Sequence, residues 1–295
     1  MIYLLPLLTV SIWAGNAIVN KLSFSVIDPG AIAFYRWFFA MLALTPFVLK
    51  SVIQNWASIK PYLSKLAFLA LLGMVLNQSL GYFAAPTTTA TNMALIMSLV
   101  PLMSMFLSVP ILKQRLSPLA FIGAVLSLGG LVLMLSHGDP SQLLSQGMNQ
   151  GDALLLLAAF VYALYCVLIK RWDMPLSNWH SVYVQGVFAV LFLLPMVFTS
   201  QRVGITGESL PLILFAAIPA SVIAPWCWLK AIKMLGADKT AMFMNLMPVI
   251  TAIIASVLLN EQLEPVHLIG GGMVLCGVAI AQLKLRARRR KLVAA

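Results

Sequence analysis

The sequence predicts an all-α integral membrane protein with ten transmembrane helices in two inverted five-helix repeats. Three observations support this fold class. Hydrophobic residues make up 61% of the 295-residue chain and charged residues only 9%, whereas soluble domains average about 25% charged residues. Ten apolar stretches are each long enough to cross a hydrocarbon core of about 30 Å. Finally, the second half of the chain resembles the first half.

The ten stretches are predicted to be helices because lipid requires each backbone to satisfy its own hydrogen bonds, and the alternating pattern of a β-barrel is absent. No soluble domain fits between them. The first stretch starts near Met1 without a basic region or a cleavage site, so we expect a retained span rather than a signal peptide. The predicted spans are 3–20, 31–49, 66–84, 90–112, 118–135, 152–170, 178–198, 210–230, 238–259 and 265–283.

The basic residues predict the orientation of the chain. With the amino terminus in the cytoplasm, sixteen of the 19 Lys and Arg residues fall in cytoplasmic segments. The outer side holds Lys21 and Arg202, while Arg36 lies inside the second span. This positive-inside bias predicts two cytoplasmic termini and an even number of spans. We expect the basic tail to rest on anionic membrane lipid and expect no nucleic-acid partner, despite the formal net charge of +11.

An internal repeat predicts the domain organisation. A shift of 147 positions places Pro101 on Pro248, and it places LKQRLSP (112–118) on LNEQLEP (259–265). Five spans per repeat is an odd number, so the second copy enters the membrane from the opposite side. Inverted repeats are typical of secondary transporters, whose substrate site lies near the midplane. The predicted divisions are a first repeat 1–135, an outer connecting loop 136–151, a second repeat 152–283 and a cytoplasmic tail 284–295.

Several stretches carry a family resemblance. IWAGNAIVNK (12–21) is followed by Pro29 and Arg36, and the run from Tyr82 to Gly123 has a second copy that ends at Gly270. In these features the chain resembles the EamA branch of the drug/metabolite transporter superfamily over essentially its whole length. The resemblance implies export of small metabolites or drugs across a bacterial inner membrane, through a central cavity ringed by helices of both halves.

A polar stripe on the first span is the first candidate site feature. Thr9, Trp13, Asn16 and Asn20 fall within an arc of about 60° on a helix. Such a stripe should face protein or water rather than lipid. Hydrogen bonds between helices are one explanation of the asparagines, and the lining of a substrate cavity is the other.

Arg36 is the sharpest single candidate, because no Asp or Glu lies in the interior of any predicted span. Its partner is then expected to be backbone carbonyl groups, the lipid headgroups or a substrate. It could reach the outer surface or brace helix ends, or it could bind a substrate carboxylate, which a guanidinium holds with two parallel hydrogen bonds. Its counterpart in the second repeat is the neutral Gln185.

The remaining candidates are polar, aromatic or flexible residues within the spans. Plain helix packing is the alternative explanation for the methionines and prolines of the fourth and ninth spans, and a place in the membrane-interface belt is the alternative for Trp226. The predicted substrate-pathway residues are Trp13, Asn16, Asn20, Arg36, Asn77, Gln78, Tyr82, Met97, Tyr162, Tyr165, Gln185, Trp226, Met244 and Asn245, and the predicted hinges are Pro101 and Pro248.

The missing motifs limit the function classes. The sequence has no phosphate-binding GxxxxGK[ST] loop, and it has no hydrolytic motif such as GxSxG or HExxH. Its three cysteines are dispersed. We therefore expect no enzyme, no cofactor and no metal site. The first hypothesis is alternating-access export of small organic metabolites, amino acids or related compounds, by a monomer or homodimer. Two driving forces stay open: protons as the coupling ion, with His180 as the candidate carrier, or facilitated movement down a gradient. Drug efflux and a non-transporting scaffold subunit are the alternatives.

Overall fold

The computed structural model describes residues 3–114, 116–139, 148–235, 240 and 242–293, with the backbone alone for residue 242 and residues 282–293. Within these residues the protein is helical and contains no strand. Seven of the described helices are long and apolar enough to cross a membrane. Two shorter apolar stretches follow them: residues 243–258, which combine a 3₁₀ turn with a short α-helix, and residues 265–281, which form the first part of the last helix. The helices are α1 Leu4–Ser23, α2 Pro29–Gln54, α3 Trp56–Ala84, α4 Ala90–Leu112, α5 Pro118–Leu135, α6 Gln150–Trp172, α7 Asn178–Thr199, α8 Ser209–Leu235, α9 Met247–Leu258 and α10 Pro265–Val293.

Several helices extend beyond the predicted spans. Helix α2 continues to Gln54 rather than ending at residue 49, and α3 begins at Trp56 rather than at residue 66. Helix α10 continues to Val293, through most of the predicted basic tail. The apolar pattern ends at the edge of a lipid core, but helical hydrogen bonding does not, because Lys, Arg and Gln are good helix formers.

Helix α4 is broken into two pieces, α4a (Ala90–Met97) and α4b (Val100–Leu112). At the break, the Leu99 amide donates a hydrogen bond to the Ile96 carbonyl at 3.1 Å, which closes a tighter turn than an α-helix has. Pro101 lies in the first turn of α4b, where backbone amides have no carbonyl partner within the helix, so its missing N–H costs α4b no hydrogen bond. The predicted disturbance near the proline is therefore a break on its amino-terminal side.

The matching region of the second half has the same design. A 3₁₀ turn, Met242–Leu246, precedes α9, and Pro248 lies in the first turn of α9. Left-handed φ angles occur at Lys113, directly after α4b, and at Asn260, shortly after α9. The two angles are 54° and 53°, and the two residues are 147 positions apart. In each case the amide of the next residue donates a hydrogen bond back into the helix, to the carbonyls of Ser108 and Ala255.

Helices α5 and α10 pack closely through glycines. Gly123 faces Gly277, and Gly130 faces Gly270, so the two helices run antiparallel. A Cβ atom on any of these glycines would overlap the backbone carbonyl of the facing glycine. The absence of side chains therefore sets this close approach, as is common between helices in membranes.

Two apolar cores support the candidate site. One lies among α2, α3 and α7, and the other lies among α3, α4, α5, α6 and α10. Helix α1 packs against α8, α9 and α4a between these cores. As a result, α1, α2, α3 and α8 meet around the side chain of Arg36.

Candidate functional site

The Arg36 side chain is buried, with 4% of its surface exposed. Helix α2 begins with Pro29, which fits the first turn of a helix, and Arg36 follows two turns later. The guanidinium therefore enters the protein interior below one end of the helix. It does not extend to an outer surface, which was one of the two structural explanations that the sequence left open.

Three side chains from three other helices hold this guanidinium. Its Nε donates a hydrogen bond to Ser221 Oγ of α8 at 2.8 Å. Its Nη1 donates to Asn16 Oδ1 of α1 at 3.3 Å and to Tyr82 Oη of α3 at 3.4 Å. The expectation of carbonyl, headgroup or substrate partners was therefore incomplete, because side-chain oxygens take that role. Asn16 and Tyr82 were among the candidates.

Ser221 was missed by the sequence analysis. It lies in a π-helical segment of α8, Ala216–Ile223, and its hydroxyl donates to the Ala216 carbonyl at 2.8 Å. Its oxygen is thereby left to accept from Arg36. Helix α3 has a similar π-helical segment, Leu71–Leu76, in which Trp37 Nε1 donates to the Met74 carbonyl at 3.0 Å. The signal in the sequence was a single hydroxyl within an apolar run, which did not stand out without its partner.

The charge of Arg36 is not neutralised by an acidic side chain among the described residues. The ion pairs there join Arg202 to Asp28 and His137 to Glu264, outside the predicted spans. The Nη2 atom of Arg36 has no hydrogen-bond partner in the described part of the chain. The remaining hydrogen-bonding capacity of Arg36 is therefore at Nη2, and its charge is offset by neutral side-chain oxygens alone among the described residues.

The polar stripe of α1 faces the protein interior. Toward one end, Thr9 and Trp13 donate hydrogen bonds to the Ala224 and Ala220 carbonyls of α8, both at 3.2 Å. Trp13 also packs against Trp228, with ring centroids 5.5 Å apart. Further along, Asn16 donates to Asn20 at 3.4 Å and accepts from Arg36. One part of the stripe thus packs against α8, and another part contacts the guanidinium of Arg36.

Both halves of the sequence match one family of proteins, which shows the class to which the chain belongs. The sequence matches the EamA-like transporter family over residues 1–136 and again over residues 149–282. The chain belongs to the EamA-like transporter family. It is therefore a multi-pass membrane protein and a transporter, not an enzyme.

Known proteins similar to this EamA-like transporter agree with that class. An uncharacterized transporter of Archaeoglobus fulgidus is 31% identical over 291 residues, 96% of this chain and 97% of the relative. An S-adenosylmethionine uptake transporter of Rickettsia prowazekii is 27% identical over 260 residues, covering 88% of this chain and 83% of the relative. A solved crystal structure shares the fold with a TM-score of 0.64 at 17% identity, with 97% of both chains covered.

Other predicted pathway residues of this EamA-like transporter make contacts away from Arg36. Tyr162 and Tyr165 stack with ring centroids 5.4 Å apart, and the Tyr165 ring packs on Gly73. Asn77 Nδ2 donates to the Ala158 carbonyl at 3.1 Å, which is a bond between α3 and α6. Gln78 is the next residue of α3 and is partly exposed.

Gln185, the predicted counterpart of Arg36, is also buried. It donates to Ser181 at 2.9 Å, and its Oε1 has no hydrogen-bond partner among the described residues. Of the methionines, Met97 packs against the core that contains α4, α5 and α6. Met244 and Asn245 are partly buried in the 3₁₀ turn before α9.

The structure places Trp226 in a separate groove. This groove has a volume of about 600 Å³ and lies among the ends of α2, α7 and α8. Trp226 is 44% exposed there, and Lys230 Nζ lies 4.8 Å from the centroid of its ring. At the same end of the molecule, Ser51 and His180 share a hydrogen bond at 2.8 Å. The groove walls are mostly apolar.

Proposed function

We propose that this protein is a secondary transporter that exports small organic metabolites carrying a carboxylate, amino acids or related compounds, across the inner membrane by alternating access. The observation that carries this proposal is the buried, positively charged Arg36 without an acidic partner in the described part of the chain. A carboxylate is the natural ligand of a guanidinium and would offset its charge.

The surroundings of Arg36 support a polar substrate. Ser221, Asn16 and Tyr82 fix the guanidinium from one side, so its orientation exists before the substrate arrives. Preorganised donors spend less free energy on ordering when the ligand binds. Asn20, partly exposed beside Asn16, adds an amide that can bond an amino or hydroxyl group.

Ten spans in two inverted repeats are the proposed architecture. The two stretches that match the family correspond to the two proposed repeats. The matching helix ends at Lys113 and Asn260 and the antiparallel packing of α5 and α10 agree with an inverted relation. Both termini and the basic tail would lie in the cytoplasm, as the distribution of Lys and Arg predicts.

Contacts among the helix ends and the segments that connect the helices support this topology. Segments proposed to lie outside contact one another: Asp28 with Arg202, and His137 with Glu264. Segments proposed to lie inside also contact one another, as when Arg171 donates to the Ile111 carbonyl at 2.8 Å. In these contacts, the segments proposed to be cytoplasmic and those proposed to be outer therefore stay in separate groups, which supports the proposed topology.

Uptake of an S-adenosylmethionine-like compound is the second candidate, and the name of the Rickettsia relative favours it. That molecule carries an amino-acid carboxylate, so Arg36 would serve the same purpose. Alternating access permits movement in either direction, and the gradients decide which direction prevails.

Comparison of the growth media of expressing cells tests the proposal. Cells carry the wild type, Arg36→Gln, Arg36→Lys, Arg171→Gln or an empty vector, at matched amounts of protein in the membrane. Arg171 is exposed, and its hydrogen bond among the described residues is to a backbone carbonyl, so Arg171→Gln controls for the loss of one positive charge. Arg36→Lys retains the charge but loses the two-pronged geometry.

If the proposal is right, a small set of carboxylate-bearing compounds should accumulate in the medium of cells that express the wild type or Arg171→Gln. Arg36→Gln should lower their accumulation about tenfold or more, because a hydrogen bond to a charged group contributes about 1.5–3 kcal/mol. Depletion of such compounds from the medium instead would favour uptake. Identical media from all five strains would contradict transport of these compounds.

A further inference from the structure

A buried carboxyl group lies apart from the Arg36 site, in the first turn of α6. Asp152 is 5% exposed, and it takes part in neither of the ion pairs found among the described residues, His137–Glu264 and Arg202–Asp28. A carboxylate that is buried without a cation is costly. The positive end of the α6 dipole offsets part of that cost, and hydrogen bonds must supply the rest.

The two side chains beside Asp152 come from the start of α4a. Thr88 Oγ1 donates a hydrogen bond to Asp152 Oδ1 at 2.5 Å. The Asn92 side chain, 8% exposed, lies beside the same carboxyl group, and its amide NH₂ favours the ionised form. Its Oδ1 is buried and has no hydrogen-bond partner in the described residues. A buried acceptor without a donor costs about 1–3 kcal/mol, and a protonated Asp152 would bring such a donor, its own O–H, into the same cluster.

Other titratable groups face this cluster from three elements. His137, just after α5, acts electrostatically on Asp152. Lys21 of α1 donates to the Thr88 carbonyl at 2.5 Å. Glu261, before α10, accepts hydrogen bonds from the first two amides of α4a. The start of α4a is therefore held by α1, by α6 and by the segment between α9 and α10.

Helix α4a can respond to a change in these bonds because it is a separate piece. Thr89 caps its amino terminus by accepting from the Asn92 amide at 3.0 Å, and the break after Met97 separates it from α4b. A helix of eight residues between a break and a set of polar tethers can move as a unit.

We infer that Asp152 is the binding site of a coupling proton. In the ionised form its carboxylate accepts from Thr88, as the structure has it. A proton taken from water on the outer side would make it a donor. The Asn92 amide would then turn over to accept with its Oδ1, which would change the hold on α4a and so couple proton binding to opening of this end. This inference rests on the proposed transport function for its coupling role.

Infrared difference spectra of the purified protein in lipid, recorded during a pH titration, test proton binding without any substrate. The wild type should show a carboxylic-acid carbonyl band that titrates. Asp152→Asn should lack it, whereas Asp173→Asn, which changes an exposed acid at the other end of α6, should retain it. Thr88→Val removes the donor to the carboxylate and should move the midpoint to higher pH. An unchanged band in Asp152→Asn would overturn the assignment.

Transport by proteoliposomes tests the coupling, with radiolabelled amino acids and radiolabelled S-adenosylmethionine as probes. Asp152→Asn should lose pH-gradient-driven accumulation about tenfold or more while it keeps exchange of the same probe across the membrane. Wild-type transport that ignores a pH gradient would overturn the coupling role but not the proposed function. If the wild type moves none of the probes, the proposed function fails for them and the coupling role fails with it, while the infrared band still decides whether Asp152 binds a proton.

Discussion

Glu261 links the amino terminus of α4a to the second half of the chain, and its charge can be removed with little change in shape. Its carboxylate accepts from the Ala90 amide at 2.7 Å, from the Thr91 amide at 3.2 Å and from the Thr91 hydroxyl at 2.9 Å. The substitution Glu261→Gln keeps one acceptor oxygen but places an NH₂ group opposite an N–H donor.

The expected size of the effect follows from these bonds. A hydrogen bond to a charged group contributes about 1.5–3 kcal/mol. Glu261 is partly exposed, so we take the lower end, about 1.5 kcal/mol, for the whole substitution. If the contact exists only while the outer end is closed, the open state should become about tenfold more populated, since about 1.4 kcal/mol corresponds to a factor of ten.

Thiol reactivity measures this population. Ala255 is fully buried in a small cluster with Ile18 and Ala90, directly beneath the contact, and Ala255→Cys adds little volume. In a background without the three native cysteines, a membrane-impermeant thiol reagent should modify this cysteine about tenfold faster when Glu261→Gln is present. Glu264→Gln is the matched control, because Glu264 is exposed and bonds to His137 instead. Equal rates in the two variants would refute the reasoning.

Three further predictions concern stability. Gly277→Val should lower the free energy of unfolding by about 1–3 kcal/mol in thermal melts, because its Cβ would overlap the Gly123 carbonyl. Gly272→Val should have no such effect, since nothing lies within 4 Å of that position. Equal melting temperatures of the two variants would contradict the close packing of α5 and α10. Ser221→Ala should destabilise by about 1–3 kcal/mol, because it leaves Nε of Arg36 unpaired in the interior, and Ser108→Ala, which removes a bond within one helix, should cost less. Burial opposes ionisation of Asp28, but hydrogen bonds from the Arg202 and Gln201 amides and the Arg202 guanidinium outweigh it, so the pKa of this carboxyl lies below its ordinary value. The contribution of Asp28 to stability is then present above about pH 4 and is lost as the pH falls through the lowered pKa. Asp28→Asn should therefore lower the melting temperature at neutral pH and have progressively less effect in acid. A difference in melting temperature between wild type and variant that stays constant across this pH range would disprove the ion-pair explanation.

The sequence predicted the membrane class well, because composition alone decides which solvent a surface can tolerate. It also predicted Arg36, Asn16 and Tyr82 as candidates, since polar groups inside apolar helices are rare enough to be noticed singly. It did not predict their mutual contact, which depends on how α1, α2, α3 and α8 are arranged. Ser221 shows the limit: one hydroxyl in an apolar run has no meaning until a buried guanidinium is found 2.8 Å away.

The sequence by itself determined that the chain is a helical membrane protein, where its apolar segments lie, and that its two halves are related. These properties are local or periodic, and a linear pattern records them. Tertiary structure alone decided that α4 breaks before its proline, that α3 and α8 contain π-helical turns, and that Asp152 lies beside Thr88 and Asn92. Each of these depends on contacts between residues far apart in the chain, whose free energy outweighs the local preference for a regular helix.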